Sequence, residues 1–340
     1  MDFMKISIAM ATFNGSRFIQ EQLDSLSSQT RLPDELVICD DGSTDDTLKI
    51  VGEFQKNAGF KVVVVENESR LGYADNFLKS AKLCNGEWIA FCDQDDVWLP
   101  EKLELAEKKI KENPKCKLVL QNALITDAQL NCDGRLFPNT VNAGSYDSFS
   151  QHGFWVWVGF LQTVHSSIFE DFDCESRPLN SSPQGSVMAH DKWVCMIANV
   201  IGGIEVLSEP VAMYRRHENA VTGRYDETPL AKLAASSLLI GGDYYSYASE
   251  VASQIAEYFD YSVNASSSMS SLASKMYGKL ALFYRHRSEV YLGSNKFARL
   301  KSFLYLLLHG AYLGRKFDAF GCRSLLKDVY VALFHRENDG

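Results

Sequence analysis

Apolar runs alternate with helical patterns over the first hundred residues. The runs "KISIAMATFN", "LVICD", "KVVVVE" and "WIAFCD" are almost continuously apolar, and the spacing between them predicts helices near 17–28, 45–55 and 73–83. Strands that are apolar on both faces are typical of a parallel sheet covered by helices on each side. The pattern therefore predicts the α/β fold class, with a mostly parallel central sheet. Ligands of such sheets bind beyond the carboxyl ends of the strands.

The pattern changes after about Tyr225. Helical spacing is visible from Leu230 to Tyr258, a serine-rich segment "SVNASSSMSSLAS" follows, and basic amphipathic segments begin at about Lys275. A chain of 340 residues is also longer than one hydrophobic core usually fills. We therefore expect two domains, an α/β domain over 1–225 and a helical region over 226–340.

Charge and cysteine content narrow the range of partners. The net charge of −9 argues against nucleic acid, because a phosphate backbone attracts clustered Lys and Arg. Residues 281–340 differ, since 10 Lys and Arg against 5 Asp and Glu give a net charge of +5. Eight cysteines without a CxxC pair fit reduced thiols, and neither a signal peptide nor a membrane-spanning stretch is recognisable. We expect a cytoplasmic protein, either soluble or peripheral on a membrane.

Four carboxylates lie in "ICDDGSTDDT", directly after an apolar strand. Asp40 and Asp41 end that strand, where a carboxylate can accept the N–H donors of a base or ribose in the crevice. Ser43, Asp45 and Asp46 fit the cap and first turn of the next helix, where acceptors satisfy free N–H groups. The alternative for the whole stretch is helix capping combined with a solvated acidic turn.

A second acidic cluster follows a second strand in "WIAFCDQDDVWLPEKLE". Asp93 and Asp95 are two residues apart, so their side chains leave an extended chain on the same side. Paired carboxylate oxygens suit Mg²⁺ or Mn²⁺, which keep positions open for phosphate oxygens. Another helix cap is the alternative, and it suits Asp96 better than the other two. Pro100 predicts that the next helix starts near Leu99.

Four blocks of the sequence together resemble one enzyme family. "ISIAMATFNGSRFIQEQLDSLSSQT", "LVICDDGSTDDT", "NESRLGYADNF" and "FCDQDDVW" are similar to the inverting family-2 glycosyltransferases of the GT-A fold. The "DQDDVW" form is most similar to bacterial rhamnosyltransferase-type members. The resemblance covers roughly residues 5–225. It implies a Rossmann-like sheet with helices on both faces and a nucleotide-sugar donor carried on dTDP, UDP or GDP.

The resemblance also implies roles for individual residues of the donor site. Those expected to bind the donor or its metal ion, Mn²⁺ or Mg²⁺, are Thr12 and Asn14 (base, through backbone), Asp41 (pyrimidine ring), Arg70 (base or diphosphate), Asp93 (ribose or sugar) and Asp95 (metal). The alternatives are ordinary turn residues for Thr12 and Asn14. For Arg70 the alternative is a cation on a surface loop.

The acceptor side needs a base, because inversion is a single displacement in which the acceptor hydroxyl loses its proton. The metal and nearby cations can neutralise the departing diphosphate, so no acid is needed there. "MAHDKWVCMIA" contains Asp191 ahead of an apolar helix, and in the family an acidic residue at this place acts as the base. The alternative for Asp191 is an N-cap of that helix.

The segment "VAMYRRHENAVTG" ends a strand with three further candidates. The resemblance implies that Arg215 and Arg216 contact the diphosphate and that His217 completes the metal shell. A solvated loop histidine is the alternative for His217. The chain departs from the family at "FWVWVGFLQTVHSS", where relatives usually carry a small-residue segment. The resemblance therefore does not predict the residues of the acceptor pocket.

The tail segment "NKFARLKSFLYLLLHGAYLGRKF" surrounds an apolar centre with basic residues, namely Lys296, Arg299, Lys301, Arg315 and Lys316. This pattern suits a helix lying in an anionic membrane interface. A helix packed on the rest of the protein, with solvated charges, explains it equally well.

We therefore expect an inverting, metal-dependent glycosyltransferase that moves a single sugar onto a bacterial surface-glycan acceptor at the cytoplasmic face of the inner membrane. The sugar expected is rhamnose from dTDP-rhamnose, and the acceptor a lipid-linked glycan. Two alternatives are a sugar-phosphate nucleotidyltransferase and a catalytically inactive membrane adaptor. A processive synthase is disfavoured, because neither its membrane helices nor a QxxRW-like motif is present.

Overall fold

The computed structural model describes residues 4–139, 142–180, 186–218, 241–261, 267–313 and 316–334. The chain divides into two units. The first consists of Met1–Ser148, Val156–Cys174 and Ala189–Arg224, and the second of Phe149–Trp155, Glu175–Met188 and Tyr225–Gly340. Two short segments between 149 and 188 thus belong with the C-terminal helices. The domain boundary expected at 225/226 lies outside the described residues.

The first unit is built on a ten-stranded sheet. Its strands are β1 (Ile6–Thr12), β2 (Glu35–Asp40), β3 (Lys61–Glu66), β4 (Trp88–Cys92), β5 (Val97–Trp98), β6 (Leu118–Thr126), β7 (Cys132–Phe137), β8 (Gly144–Tyr146), β9 (Gln162–His165) and β10 (Ile204–Arg215). The main order is β3-β2-β1-β4-β9-β6-β10-β5. Strands β1–β4, β6 and β10 run in one direction, and the other four run against them. The carboxyl ends of the main strands therefore meet at one edge.

The helices of the first unit are α1 (Ile19–Ser27), α2 (Thr47–Asn57), α3 (Tyr73–Leu83), α4 (Lys102–Glu112), α5 (Ser167–Asp171) and α6 (His190–Ile201), with a 3₁₀ turn at Gly159–Leu161. The helix expected near Leu99 begins at Lys102 instead. The backbone explains this difference, because Val97–Trp98 pairs with β10 and the Leu99 N–H donates to the Val211 carbonyl.

Helices cover both faces of the sheet because side chains alternate along each strand. Ile8 and Met10 of β1 pack in one core with residues of α1 and α4. On the opposite face, Phe91 of β4 packs edge-on against Phe77 of α3, with ring centroids 5.8 Å apart, and against His190 of α6. The strands are thus buried from both sides, as their continuous apolar runs predict.

The second unit is helical. Its helices are α7 (Gly242–Tyr261), α8 (Ser267–Leu292), α9 (Lys296–Leu308) and α10 (Gly321–Phe334), and one core cluster joins the last three. None of the described helices combines the length and the apolarity that crossing a bilayer requires.

A buried ion pair links two helices of the second unit. The Arg287 guanidinium of α8 lies 2.9 Å from the carboxylate of Asp328 on α10, and both side chains are almost fully buried. Hydroxyl groups of Tyr291 and Tyr312 also donate to Asp328, at 2.8 and 2.9 Å. Because every partner is desolvated, removing one charge leaves the other uncompensated.

We therefore expect Asp328→Asn to lower the free energy of unfolding by about 3 kcal/mol, measured by urea denaturation followed by circular dichroism. The matched control is Arg285→Gln. Arg285 also forms an ion pair on α8, with Glu289 at 3.8 Å, but both partners are exposed. Its loss is expected to cost under about 0.5 kcal/mol. Similar losses in the two variants would contradict a special contribution from the buried pair.

Candidate active site

The carboxylates of the first acidic stretch have different roles, and that of Asp40 is structural. Asp40 is fully buried and accepts hydrogen bonds from the Thr12 hydroxyl at 2.7 Å, and from the Ser43 hydroxyl and N–H at 2.6 and 2.7 Å. Asn14 has a positive φ of 48° and its side-chain oxygen accepts from the Thr44 N–H. Asp40 therefore holds the turn between β2 and α2 and ties it to β1, and Ser43 serves that turn, although it was expected to cap α2.

Helix α2 is capped by Asp45. One carboxylate oxygen accepts from the N–H of Thr47, and the other accepts from the N–H of Ser16. Partial burial opposes ionisation, but the hydrogen bonds from Ser16 and Thr47 prevail and lower the pKa of Asp45 to about 2. Asp46 occupies the N-cap position without a side-chain bond. The capping interpretation is therefore correct for Asp45 and wrong for Ser43 and Asp46.

Asp41 holds the loop that precedes α3. Its carboxylate accepts from the backbone N–H groups of Leu71 and Gly72, both at 2.7 Å, and from the Asn67 amide at 3.0 Å. The guanidinium of the exposed Arg70 lies 3.9 Å from the centre of the Phe13 ring, at the end of β1. The structure thus brings the candidate base-binding residues of three segments to the same edge of the sheet.

Three carboxylates crowd the turn after β4, and we name residues 93–96 the acidic turn. Oxygens of Asp93, Asp95 and Asp96 lie within 4.8 Å of one another. Burial, and then the charges of Asp95 and Asp191, raise the pKa of Asp93 to about 8. Burial and the two neighbouring carboxylates also raise the pKa of Asp96 well above its usual range. The turn therefore concentrates negative charge that a cation would relieve.

The residues of the acidic turn fit a divalent metal ion. Asp96 is only 1% exposed, and among the described residues its Oδ2 has no hydrogen-bond partner. An orphaned carboxylate oxygen beside two others is a donor set that Mg²⁺ and Mn²⁺ prefer. A helix cap does not explain Asp93 or Asp95, since α4 begins at Lys102, seven residues after Asp95.

His217 lies against the acidic turn. Its Nε2 is 2.8 Å from Oδ2 of Asp95, and its side chain is 7% exposed. The ring also packs on Phe18, with centroids 4.8 Å apart. The structure therefore brings together the two residues expected to share a metal ion, and the alternative of a solvated loop histidine is wrong.

The two arginines before His217 have protein partners. Arg215 is buried, and its guanidinium binds Asp95, Ala128 and Glu21. Arg216 donates to the Tyr214 hydroxyl at 2.5 Å and lies over the same ring. Contact of either residue with a diphosphate stays a prediction, and for Arg215 it would require the side chain to leave these contacts.

Asp191 lies in the first turn of α6. The N-cap of this helix is Ala189, so the alternative that made Asp191 the N-cap is wrong. Its carboxylate accepts from the Lys192 N–H at 2.8 Å, and its charge acts on both Asp93 and Tyr73. The adjacent His190 packs on Phe91 of β4, so the candidate base lies near the strand that leads into the acidic turn, which the spacing of two distant motifs alone did not require.

The start of α6 is fixed by aromatic packing. The His190 ring stacks on Phe77 at 4.3 Å between centroids. A Cβ on Gly159 would come within 2.5 Å of the His190 Nε2. The divergent segment "FWVWVGFLQTVHSS" thus supplies one small residue where this ring needs space, next to Asp191.

Several residues of the site were not predicted. Gln94 bonds both the N–H and the carbonyl of Phe13, each at 3.0 Å, and so ties the acidic turn to β1. Lys102 is fully buried beneath the turn and donates to Gln121 at 3.1 Å, and burial lowers its pKa to about 7. The sequence could have indicated Gln94, because it lies between Asp93 and Asp95. Nothing in the sequence indicated a buried lysine at the start of an amphipathic helix.

Comparison with known proteins agrees with this geometry. Residues 7–129 match the model of glycosyl transferase family 2. An uncharacterized protein of Mycobacterium tuberculosis is 27% identical over 220 residues, 64% of this chain and 60% of the relative, so the match spans less than two thirds of the relative. The dTDP-rhamnosyl transferase RfbG of Shigella flexneri is 39% identical over 101 residues, which cover 28% of this chain and 35% of RfbG.

A solved structure supports the fold. The crystal structure of S. aureus TarS 1-349 in complex with UDP-GlcNAc superposes with a TM-score of 0.53 over 90% of this chain and 87% of that one, at 20% sequence identity. The alternating strands and helices of the first unit are therefore the GT-A fold. Residues 7–129 are therefore similar to the glycosyl transferase family 2 domain.

Proposed function

We propose that the protein transfers one sugar with inversion, in a metal-dependent reaction, from a nucleoside-diphosphate sugar to a bacterial surface-glycan acceptor. The observation that carries the proposal is the place of Asp191 in the first turn of α6, next to His190, whose ring packs on Phe91 of β4, the strand that the acidic turn follows. One carboxylate on the acceptor side and a metal on the donor side are what a single displacement requires.

The donor we propose is dTDP-rhamnose, with UDP- and GDP-linked sugars as the other candidates. Similarity to a dTDP-rhamnosyl transferase over 101 residues supports this choice. Asp41 keeps acceptor capacity at Oδ2, which receives one hydrogen bond, from Gly72. A pyrimidine imide N–H can use the remaining position. Thr12, Asn14 and Arg70 complete the proposed base site.

We infer that Asp95 and His217 hold the ion, with Asp93 beside them. Their carboxylate oxygens and imidazole nitrogen are ligand atoms that can bind Mn²⁺ or Mg²⁺. When bound, the ion neutralises the charge that develops on the leaving diphosphate. Arg216 is a candidate cation for the same charge.

Asp191 is proposed to act as the base. The acceptor oxygen attacks the anomeric carbon, its proton passes to the Asp191 carboxylate, and the bond between that carbon and the diphosphate oxygen breaks. The new glycosidic bond forms on the opposite face, so the configuration inverts. The packing of His190 on Phe77 holds the first turn of α6 and therefore the position of this carboxylate.

We also propose that the second unit binds the inner membrane, where a lipid-linked acceptor is found. Helices α9 and α10 and the turn after α9 expose large apolar side chains, among them Phe297 (78%), Leu308 (80%), Leu313, Leu326, Tyr330 and Phe334. Over the described part of 296–334 the acidic residues Asp318 and Asp328 are buried, whereas Lys296, Lys301 and Arg323 are exposed. Exposed apolar side chains complement an anionic bilayer when the exposed charges of the same described range are positive.

The structure changes which tail residues belong to this surface. Arg299 is buried, with its guanidinium directed to the Gly293 carbonyl, and Lys316 donates to Gln151. Arg315 lies outside the described residues. The membrane proposal therefore rests on Lys296, Lys301 and Arg323 and on the apolar residues between them.

Asp191→Asn is expected to lower the rate of rhamnosyl transfer by 10²-fold or more, because the amide cannot take the acceptor proton. The dissociation constant of dTDP-rhamnose with Mn²⁺ should stay within about threefold, since the base does not bind the donor. Calorimetry and single-turnover product formation measure the two quantities. The control is Asp133→Asn, which removes an exposed carboxylate paired with Arg135. Equal losses of transfer and donor affinity would assign Asp191 a structural role.

Asp95→Asn is expected to abolish transfer and to remove the Mn²⁺ dependence of donor binding, because an amide oxygen is a weaker, uncharged ligand. Titrating dTDP-rhamnose with Mn²⁺ and then with EDTA measures this dependence. Retained activity would exclude Asp95 from the metal site. Pyrophosphate release from dTTP and a sugar phosphate by the wild type would instead indicate a nucleotidyltransferase.

Replacing Lys296, Lys301 and Arg323 together by Gln is expected to weaken binding to phosphatidylglycerol vesicles about 10²-fold, since each basic residue contributes on the order of 1 kcal/mol. Sedimentation with vesicles measures the binding. A matched variant replaces Lys49, Lys56 and Lys111 of the first unit by Gln and should bind as the wild type does. A wild type that stays in the supernatant would contradict membrane association.

A further inference from the structure

We propose that Arg215 and Glu21 are positioning residues that hold the acidic turn in the conformation that binds metal. The proposal rests on the metal dependence proposed above. It gives Arg215 a different task from contact with the diphosphate, and it gives a role to Glu21, which no motif singled out.

The Arg215 guanidinium connects three separate segments of the first unit. Its Nε donates to the Asp95 carbonyl at 2.8 Å, and its Nη1 donates to the Ala128 carbonyl, in the turn after β6, at 2.6 Å. Its Nη2 binds the carboxylate of Glu21 on α1. The backbone N–H of Arg215 also donates to Oδ1 of Asp96, at 2.9 Å. The last residue of β10 thus binds the acidic turn at two consecutive residues.

Asp95 is consequently held at both of its polar ends. Arg215 binds its main-chain carbonyl, and His217 contacts its carboxylate at 2.8 Å. Phe18 packs against both of these partners, with the Arg215 guanidinium 4.4 Å from its ring centre and the His217 ring at 4.8 Å. Groups that orient a metal ligand in this way commonly control metal affinity.

Burial gives Glu21 a part in this arrangement, beside the neighbouring carboxylate of Asp96, which among the described residues accepts only from the Arg215 backbone N–H. The Arg215 side chain is only 2% exposed, and a guanidinium so desolvated needs a negative partner. Asp95 and Ala128 offer it neutral carbonyl oxygens only, and Glu21 supplies the carboxylate. The planar fork of Arg reaches three acceptors in different directions, which the single ammonium of Lys cannot do.

The test measures Mn²⁺ affinity directly, from the electron paramagnetic resonance signal of the free ion, with dTDP present. Arg215→Lys is expected to raise the dissociation constant of Mn²⁺ about 10-fold or more, and Glu21→Gln about threefold. The control is Arg31→Lys, because Arg31 also binds two carbonyls, those of Met4 and Leu32, and a carboxylate, that of Asp34, near the start of β1. Arg31→Lys should change the dissociation constant of Mn²⁺ less than twofold, even where it lowers Tm as much as Arg215→Lys does.

Glu21→Gln separates the proposal from a diphosphate-binding role. If Arg215 served the diphosphate, losing a competing carboxylate would leave donor binding unchanged or stronger, and Arg215→Lys would weaken dTDP binding in EDTA. Either result, with unchanged Mn²⁺ affinity, overturns the proposal. Glu21 is half exposed, so its variant decides the question even if Arg215→Lys fails to fold. A wild type that binds no Mn²⁺ overturns the proposed metal dependence as well, whereas normal wild-type binding with unaffected variants overturns only the positioning role.

Discussion

The repulsion among carboxylates at the end of β4 is the constraint on which the site depends. Asp93, Asp95 and Asp96 lie within 4.8 Å of one another, and two of them are shifted toward the neutral form. Such a turn does not hold its shape by its own interactions. It is held by hydrogen bonds, from its own Gln94 to Phe13 after β1, and from Arg215 and His217 at the end of β10 to Asp95. The sheet contributes by ending β1, β4 and β10 at a common edge.

The same edge explains why remote motifs act together. Helix α6 reaches the acidic turn because His190 packs on Phe77 of α3 and Phe91 of β4, on the opposite face of the sheet from α1. Helix α1, on the other face, contributes Glu21 and the adjoining Phe18. Each face of the sheet therefore supports a different part of the chemistry, the acceptor side through α6 and the metal side through α1.

The sequence predicted the local features and left the long-range ones open. Helix α3 was predicted at its observed bounds, and the first four strands were found, because apolar periodicity is a local signal. The contact of Asp95 with His217 followed from a resemblance rather than from spacing, since 122 residues separate them. The burial of Arg215 and Arg299 could not be predicted, because "YRRH" and "FARLK" are basic segments whose arginines would fit a solvated surface equally well. Which cation is buried depends on how neighbouring strands and helices pack around it, and a local sequence pattern does not contain that information.

The two hydrogen bonds between Gln94 and Phe13 have a thermodynamic consequence. The Gln94 amide bonds the Phe13 backbone as a neighbouring strand would. The two hydrogen bonds therefore join the loop beside the candidate base pocket to the turn beside the candidate ion site. Neither loop is then able to shift alone. We expect binding at one end to alter the free energy of binding at the other, so the proposed nucleotide and cation would be linked ligands even without touching each other.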